Sequence, residues 1–250
     1  MAYGHVPRPQ GSRPGALVPR IYPLKGGVKS LVMIPFTSEG VEQEEYERLK
    51  GGGAECKGLL APNGLVEYMR EVFNEELERG VTYPQRGPMD DAEFRAYFLG
   101  YDLLAAFFVD DSGEEIPTEG KEVSLSILGC KVSELDPKSR LAGFYYIKPN
   151  YPHRSSHICN GGFVVPPNAR GQGLGSVLGR TFLHYAPRAG YRASVFNLVY
   201  ANNLASIRIW ERLGFTKVGL LPQAGLLRKE DGSGEEEYVD AWIIHKNLLD

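Results

Sequence analysis

The chain has 250 residues, 42% of them hydrophobic, and a formal net charge of -3. That supplies a sizeable core for one large domain. It gives no electrostatic case for nucleic acid or an anionic membrane as partner, and no apolar run approaches the roughly 18 residues of a membrane span. Cys56, Cys130 and Cys159 are odd in number and show no CxxC spacing. They predict free thiols in a reducing compartment, hence a cytoplasmic protein, rather than a disulfide framework or a zinc site.

Residues 1–27 are rich in Pro, Gly and Arg, and the first acidic residue is Glu39. We expect a flexible or surface-draped arm there, with residues 28–250 forming a single domain. A mitochondrial presequence is the alternative, which the prolines oppose because it should form an amphipathic helix. Val28–Phe36 reads as the first strand, and residues 37–62 as a loop with a short helix over EQEEYERL. NGLVEYMREVFNEELERG places Leu65, Val66, Met69, Val72, Phe73 and Leu77 at helical spacing, with Asn63 and Gly80 as caps. A second helix is predicted from about Asp91 to Leu99, with Phe94, Tyr97 and Phe98 inward.

LLAAFFV (103–109) is a strand, DDSGEEIPTEGKEV a solvated acidic turn, and SLSILGCKV (124–132) and LAGFYYIKP (141–149) further strands. HICNGGFVV (157–165) is a strand whose two glycines mark a bulge or a close backbone approach. A glycine-rich loop and a helix carrying Val177, Leu178, Phe182, Leu183 and Tyr185 follow. Then come a strand at 192–200, a helix in NLASIRIWERLGF, and strands over FTKVGLL and YVDAWIIHK. Strands alternating with helices predict a mixed sheet with helices packed on it.

The loop PPNARGQGLGS sets glycines at 171, 173 and 175 directly before a helix, where glycine costs propensity. Successive backbone N–H groups, a helix N-terminus and absent side chains together suit a bound anion, with Arg170 beside it. No GK[ST] follows, which excludes an NTPase phosphate loop. The GxGxxG dinucleotide fingerprint fits neither the spacing nor the late position. The plain alternative is a tight strand-to-helix turn.

A second segment adds specificity. Arg170-Gly171-Gln172-Gly173-Leu174-Gly175, followed by Asn203-Leu204-Ala205-Ser206-Ile207-Arg208-Ile209-Trp210-Glu211-Arg212-Leu213-Gly214-Phe215, resembles the two signatures of the GNAT superfamily of N-acetyltransferases over roughly residues 100–246. The runs FYYIKPNYPHRSSHICNGGFVV, SVFNLVYANNLASIRIWERLGF and GLLPQAGLL, with EVFNEELERGVTYPQ upstream, are similar to the fungal L-azetidine-2-carboxylate acetyltransferases, which detoxify proline analogues.

The resemblance implies an α/β fold: a mixed, mostly antiparallel sheet flanked by helices and splayed near residues 162–166 and 194–198 to admit acetyl-CoA. It implies cofactor contacts by Phe163, Val164, Val165, Arg170, Gly171, Gln172, Gly173, Leu174, Gly175, Ser176 and Asn203. It also implies a small cyclic secondary amino acid, azetidine-2-carboxylate or a proline analogue, as acceptor, direct transfer in a ternary complex, and a homodimer. Acetylation of another small amine, such as a polyamine or an antibiotic, and a catalytically silent acetyl-CoA-binding module stay open as alternatives.

Two departures matter. Trp210 stands where many relatives carry a tyrosine acid, and HICNGGFVV offers no carboxylate base, only His157 and Asn160. The subgroup instead points to Asn160, Asn197 and Asn203. An amide can accept from an amine and donate to an oxygen, but it is no strong base, so catalysis would rest on positioning and electrostatics. The plain alternatives are backbone-satisfied amides for Asn160 and Asn197 and a helix N-cap for Asn203. Cys159 is read as a small buried residue, and Tyr185 and Tyr200 as packing residues that hold acid chemistry in reserve.

Overall fold

The computed structural model describes residues 6–9, 17–26, 29–49, 58–110 and 117–249. Its strands are β1 (Arg20–Pro23), β2 (Lys29–Val41), β3 (Asp102–Asp110), β4 (Lys121–Glu122), β5 (Leu141–Pro149), β6 (Ile158–Asn160), β7 (Phe163–Val164), β8 (Ala193–Tyr200), β9 (Thr216–Arg228) and β10 (Glu236–Asn247). They form one sheet in the order β4-β1-β2-β3-β5-β6-β8-β10-β9, with β7 pairing β5 off this path. Every pairing is antiparallel except β6 with β8. The helices are α1 (Gln43–Leu49), α2 (Asn63–Arg79), α3 (Asp91–Phe94), α4 (Pro137–Arg140), α5 (Leu174–Arg188) and α6 (Leu204–Arg212). This is the mixed, largely antiparallel α/β architecture expected.

Two-residue alternation on the central strands gives each sheet face its own core. Leu103, Ala105, Phe144 and Tyr146 face α2, which buries Leu65, Val66, Met69, Val72, Phe73 and Leu77 against them. Each large side chain so buried contributes on the order of 2 kcal/mol. Leu104, Ala106, Tyr145 and Ile147 face the other way, onto Leu174, Leu178, Phe182 and Tyr185 of α5 and Ile207 and Trp210 of α6. The Gly80 C-cap of α2 forms as read, at φ 67°, whereas Asn63 is the first helical residue and Pro62 the cap.

Other expectations change, and β2 runs on to Val41 into the segment expected to be a loop. Residues 20–23 of the segment read as an arm are a sheet strand, with Ile21 and Tyr22 buried on opposite faces. Val6 is buried as well, its backbone exchanging hydrogen bonds with the Tyr101 hydroxyl. Flanking prolines and basic residues mask this short apolar run. Leu17 is buried, Arg8 pairs with Asp102 and the Val18 carbonyl accepts from Tyr185, so the described parts of this segment pack on the domain. Residues 1–5, 10–16 and 27, and Cys56, lie outside the described residues.

Residues 124–132 are not a strand: Leu125–Leu128 and Val132–Glu134 form 3-10 turns, and Gly129 takes φ 77°. The buried Leu125 and Leu128 sit three apart, the period of a 3-10 face. HICNGGFVV is two short strands, β6 and β7, broken at Gly161–Gly162. Finally, Asp91–Leu99 begins as α3 and widens into a π-helical turn at Arg95–Leu99.

Candidate active site

The sheet opens where β6 leaves β8. Their parallel pairing covers only Ile158–Ala193 and Cys159–Ser194. The chain then crosses Gly161–Gly162 and β7 pairs solely with Phe144 and Tyr145 of β5, while the rest of β8 runs on beside β10. The gap between Phe163–Val165 and Phe196–Tyr200 holds a cavity of about 340 Å³. This is the splay expected at 162–166 and 194–198.

The glycine pair is a close backbone approach. A Cβ on Gly162 would lie 2.7 Å from the Tyr146 ring, and one on Gly161 3.1 Å from the Tyr146 carbonyl oxygen. Tyr146 lines the cavity together with Tyr83 and Tyr97. Its hydroxyl is 3.2 Å from that of Tyr97, and the Tyr83 hydroxyl donates to the Phe163 carbonyl at 3.0 Å. Burial raises all three phenols, so they remain protonated hydrogen-bond donors. Gly162→Ala should force the buried Tyr146 ring aside, disturb the cavity wall and lower stability by about 1–3 kcal/mol. Steady-state kinetics and a thermal melt check this.

Asn160, Asn197 and Asn203 all line this one cavity. The Asn160 Oδ1 accepts from the Gly161 N–H at 2.7 Å. Asn197 is held by Asn150: Nδ2 of Asn197 donates to the Asn150 Oδ1 at 2.6 Å, and its own Oδ1 accepts from the Asn150 Nδ2 at 3.1 Å and from the Tyr151 hydroxyl at 3.3 Å. Asn203 caps α6, its Oδ1 accepting from the Ser206 N–H at 3.0 Å. Capping and a place in the cavity therefore coexist in one residue.

Of the expected cofactor contacts, Phe163, Val164, Val165, Arg170 and Asn203 line the cavity. Gly171, Gly173, Gly175 and Ser176 lie beyond it, around the N-terminus of α5. Gly171 and Gly173 take φ 79° and 73° with open space where a Cβ would stand, so conformation demands glycine there. Gly175 has a different reason: a Cβ would stand 3.0 Å from Ile209 of α6.

Gly173 is the N-cap of α5 and no side chain caps that end, so the Leu174 and Gly175 amides are available to a phosphate, while that of Ser176 donates to the Gly173 carbonyl at 3.1 Å. That terminus and the open β7 edge fit acetyl-CoA. Leu174 is core, and Gln172 borders a separate hollow near Asn168 and Arg140, so neither side chain reaches this cavity.

Arg170 turns inward. Its Nη2 donates to the Glu76 carboxylate at 2.7 Å and its Nε to the Val165 carbonyl at 3.1 Å. Glu76 is buried on α2 and also accepts from Thr82 at 2.5 Å and Arg79 at 3.0 Å. Burial pushes its carboxyl upward, but Thr82, Arg79 and Arg170 outweigh that and hold it below the ordinary range.

Trp210 packs between Phe163 and Phe196, at ring distances of 4.9 and 4.6 Å, with Nε1 donating to the Ser206 hydroxyl. Cys159 is buried outside the cavity, its thiol pushed up to about 12 by burial. His157 sits at the surface with Nδ1 3.1 Å from the Arg154 carbonyl, and the Tyr185 hydroxyl donates to the Val18 carbonyl across the core. Tyr200 does line the cavity.

The sequence marks Tyr97 only as an inward packing residue and gives no signal for Tyr83, Tyr146, Glu76, Asn150 or Lys148. Lys148 of β5 is buried at 5% exposure, directly opposite Asn160 across the strand pair. Its Nζ lies 4.1 Å from the centre of the Tyr97 ring and 4.0 Å from that of Tyr146. Burial lowers its pKa from 10.5 to about 8.

A family model described as Acetyltransferase (GNAT) family matches residues 99–215. The chain belongs to that family: it is an N-acetyltransferase, and acetyl-CoA is the cosubstrate. Among curated relatives it is similar to the N-acetyltransferase aca1 of Schizosaccharomyces pombe, 40% identical over 179 residues that cover 72% of this chain and 78% of that one. Among solved structures it shares its fold with a GNAT enzyme from Kribbella flavida, at a TM-score of 0.55 and 23% identity over 75% of this chain and 94% of the other. It likewise resembles a phosphinothricin acetyltransferase from Sinorhizobium meliloti in complex with acetyl-CoA, at a TM-score of 0.54 and 18% identity over 74% and 84% of the two chains.

Proposed function

We propose that this N-acetyltransferase acetylates a small cyclic secondary amino acid, azetidine-2-carboxylate or a related proline analogue, by direct transfer within a ternary complex. One observation carries the reading. Asn160, Asn197 and Asn203 converge on one cavity whose lining carboxylate, Glu76, is already shared among Thr82, Arg79 and Arg170. A polyamine needs free carboxylates to hold its several charges, whereas an amide-lined pocket whose one carboxylate is already paired suits one small amine.

Acetyl-CoA supplies the activated acyl group. The chain's own residues orient the amine and hold the site together. The Asn160 Oδ1 takes one bond from Gly161 and keeps a second lone pair for the N–H of the acceptor, while its Nδ2 protons can donate to an acceptor oxygen. Asn197 is fixed in one amide orientation by its reciprocal bonds to Asn150. The amine's proton leaves to water, since no amide is a strong base. Trp210 fills the wall and donates its N–H within α6, a structural part rather than an acid.

A homodimer and a cytoplasmic location belong to the same proposal. Val218, Leu220 and Leu221 of β9, with Tyr238 of β10, expose apolar surface along the open edge of the sheet, which suits a second copy. Cys130 and Cys159 are free thiols, in keeping with a reducing compartment. No helix among the described residues is long and apolar enough to cross a membrane.

The test is thiol release from acetyl-CoA with azetidine-2-carboxylate, hydroxyproline isomers, proline, spermidine and a lysine peptide, using the native protein and Asn160→Ala. Turnover should be confined to the cyclic amino acids, and the variant should lose about a hundredfold in kcat/KM, the scale of one well-placed hydrogen-bond donor. Turnover on spermidine or the peptide would reject the substrate class. Acetyl-CoA binding without turnover on any amine would instead mark a silent binding module.

A further inference from the structure

The cavity's surroundings contain a buried cation with no counter-anion among the described residues. Lys148 is shut away from solvent, and among the described residues no carboxylate or carbonyl oxygen bonds its Nζ. Its neighbours are the faces of Tyr97 and Tyr146, at 4.1 and 4.0 Å, which soften the burial of an ammonium without neutralising it. Both rings line the cavity, and Lys148 stands directly behind them, so a ligand group reaches its Nζ where the two rings part. The cavity's carboxylate, Glu76, cannot supply the missing charge, because Arg79 and Arg170 already hold it. A buried charge of this kind lowers stability in the free protein, so its place beside a ligand site calls for a ligand of opposite sign.

Geometry narrows that ligand. Lys148 and Asn160 are direct cross-strand partners in the antiparallel pairing of β5 with β6, so their side chains leave the same face of the sheet side by side. In an α-amino acid the carboxylate and the amine are attached to one carbon. An acceptor whose carboxylate meets Lys148 therefore presents its nitrogen within reach of the Asn160 amide. We propose that Lys148 receives the carboxylate of the acceptor, so that the acceptor is an amine carrying an α-carboxylate. This rests on reading the cavity as the acceptor site, and it assigns the residue that selects the substrate. Lys148 is here a binding residue; the proton of the amine does not pass to it.

The test compares azetidine-2-carboxylate with its methyl ester, which keeps the ring and the amine but loses the charge. The native protein, Lys148→Met and Lys148→Arg are each assayed at saturating acetyl-CoA. Native KM should be lower for the acid than for the ester by about tenfold, and Lys148→Met should abolish the difference by weakening the acid alone. KM for acetyl-CoA should not move, and Lys148→Arg should retain part of the preference.

Equal handling of acid and ester by the native protein would overturn the assignment while leaving the transferase reading intact. So would a fall in kcat for both compounds alike together with a displaced pH profile, which would make Lys148 a base. Calorimetric titration with N-acetylazetidine-2-carboxylate gives a readout that needs no turnover. Weaker binding to Lys148→Met than to the native protein supports the assignment even if the proposed acceptors prove inert, and equal binding rejects it.

Discussion

Lys148→Met should unfold at a higher temperature than the native protein near neutral pH, and the advantage should shrink as the pH rises. The cause is the buried ammonium. Its pKa falls from 10.5 to about 8 on folding, through burial. At about 1.36 kcal/mol per unit, that burial costs the native state about 3 kcal/mol at neutral pH, where both folded and unfolded chains carry the proton.

The sign follows from proton counts. Above the folded value near 8 the native lysine sheds its proton, while the unfolded chain keeps it until 10.5. The unfolded state then binds more protons, so native stability rises through this window. The methionine variant has no such group and gains nothing. The gap between the two proteins should therefore close by about 2 kcal/mol between about pH 7 and pH 9.5. Tyr97 and Tyr146, which pack against it, do not interfere, because burial raises their pKa values too. Urea unfolding of both proteins at the two pH values measures it, and a constant gap would mean that the lysine is not desolvated. A residue that lowers stability and improves substrate selection is a common trade at binding sites.

What the sequence reveals and what it hides divides along a physical line. The glycine turn and the α6 segment are contiguous in the chain, so their spacing alone exposes them; Gly171 and Gly173 need their positive φ whatever the rest of the fold does. Long amphipathic pieces such as α2 and α5 announce a buried face through periodicity. The asparagines stand out because an amide in an apolar strand requires a reason.

Lys148 carries no such mark. It ends an apolar strand next to Pro149, and a strand-terminal lysine ordinarily reaches water. Its burial comes from Tyr97, which the π-helical turn at Arg95–Leu99 brings against it from elsewhere in the chain. The pairing of Asn150 with Asn197 spans two strand ends and is likewise invisible to local pattern. At 124–132, Leu125 and Ile127 suit a strand as well as a 3-10 turn; the burial of Leu125 with Leu128 and the left-handed Gly129 decide for the turn.

Glu76→Gln should weaken both the fold and the grip on acetyl-CoA. Glu76 ties three pieces of the molecule together: α2 through Arg79, the segment after α2 through Thr82, and the glycine turn through Arg170. Glutamine has the same shape and can still accept from Thr82, but it brings an N–H₂ where a guanidinium stands and loses the charge. Removing one member of a fully buried pair costs about 3–5 kcal/mol. Here Arg79 and Arg170 are 46% and 39% exposed, so water relieves them and a loss of about 2 kcal/mol is expected.

The acid response gives an independent check. Three partners hold the Glu76 carboxyl below its ordinary 4.5 in the folded protein despite burial, so its contribution is present above that value and lost as the pH falls through the folded one. The glutamine variant should lack that acid-side loss and show a flatter stability curve below about pH 4.5. Arg170, freed from Glu76, should sample more conformations beside the α5 N-terminus, raising the Kd for acetyl-CoA severalfold. Calorimetric titration with acetyl-CoA measures that, and an unchanged Kd would show that the turn holds its shape without α2.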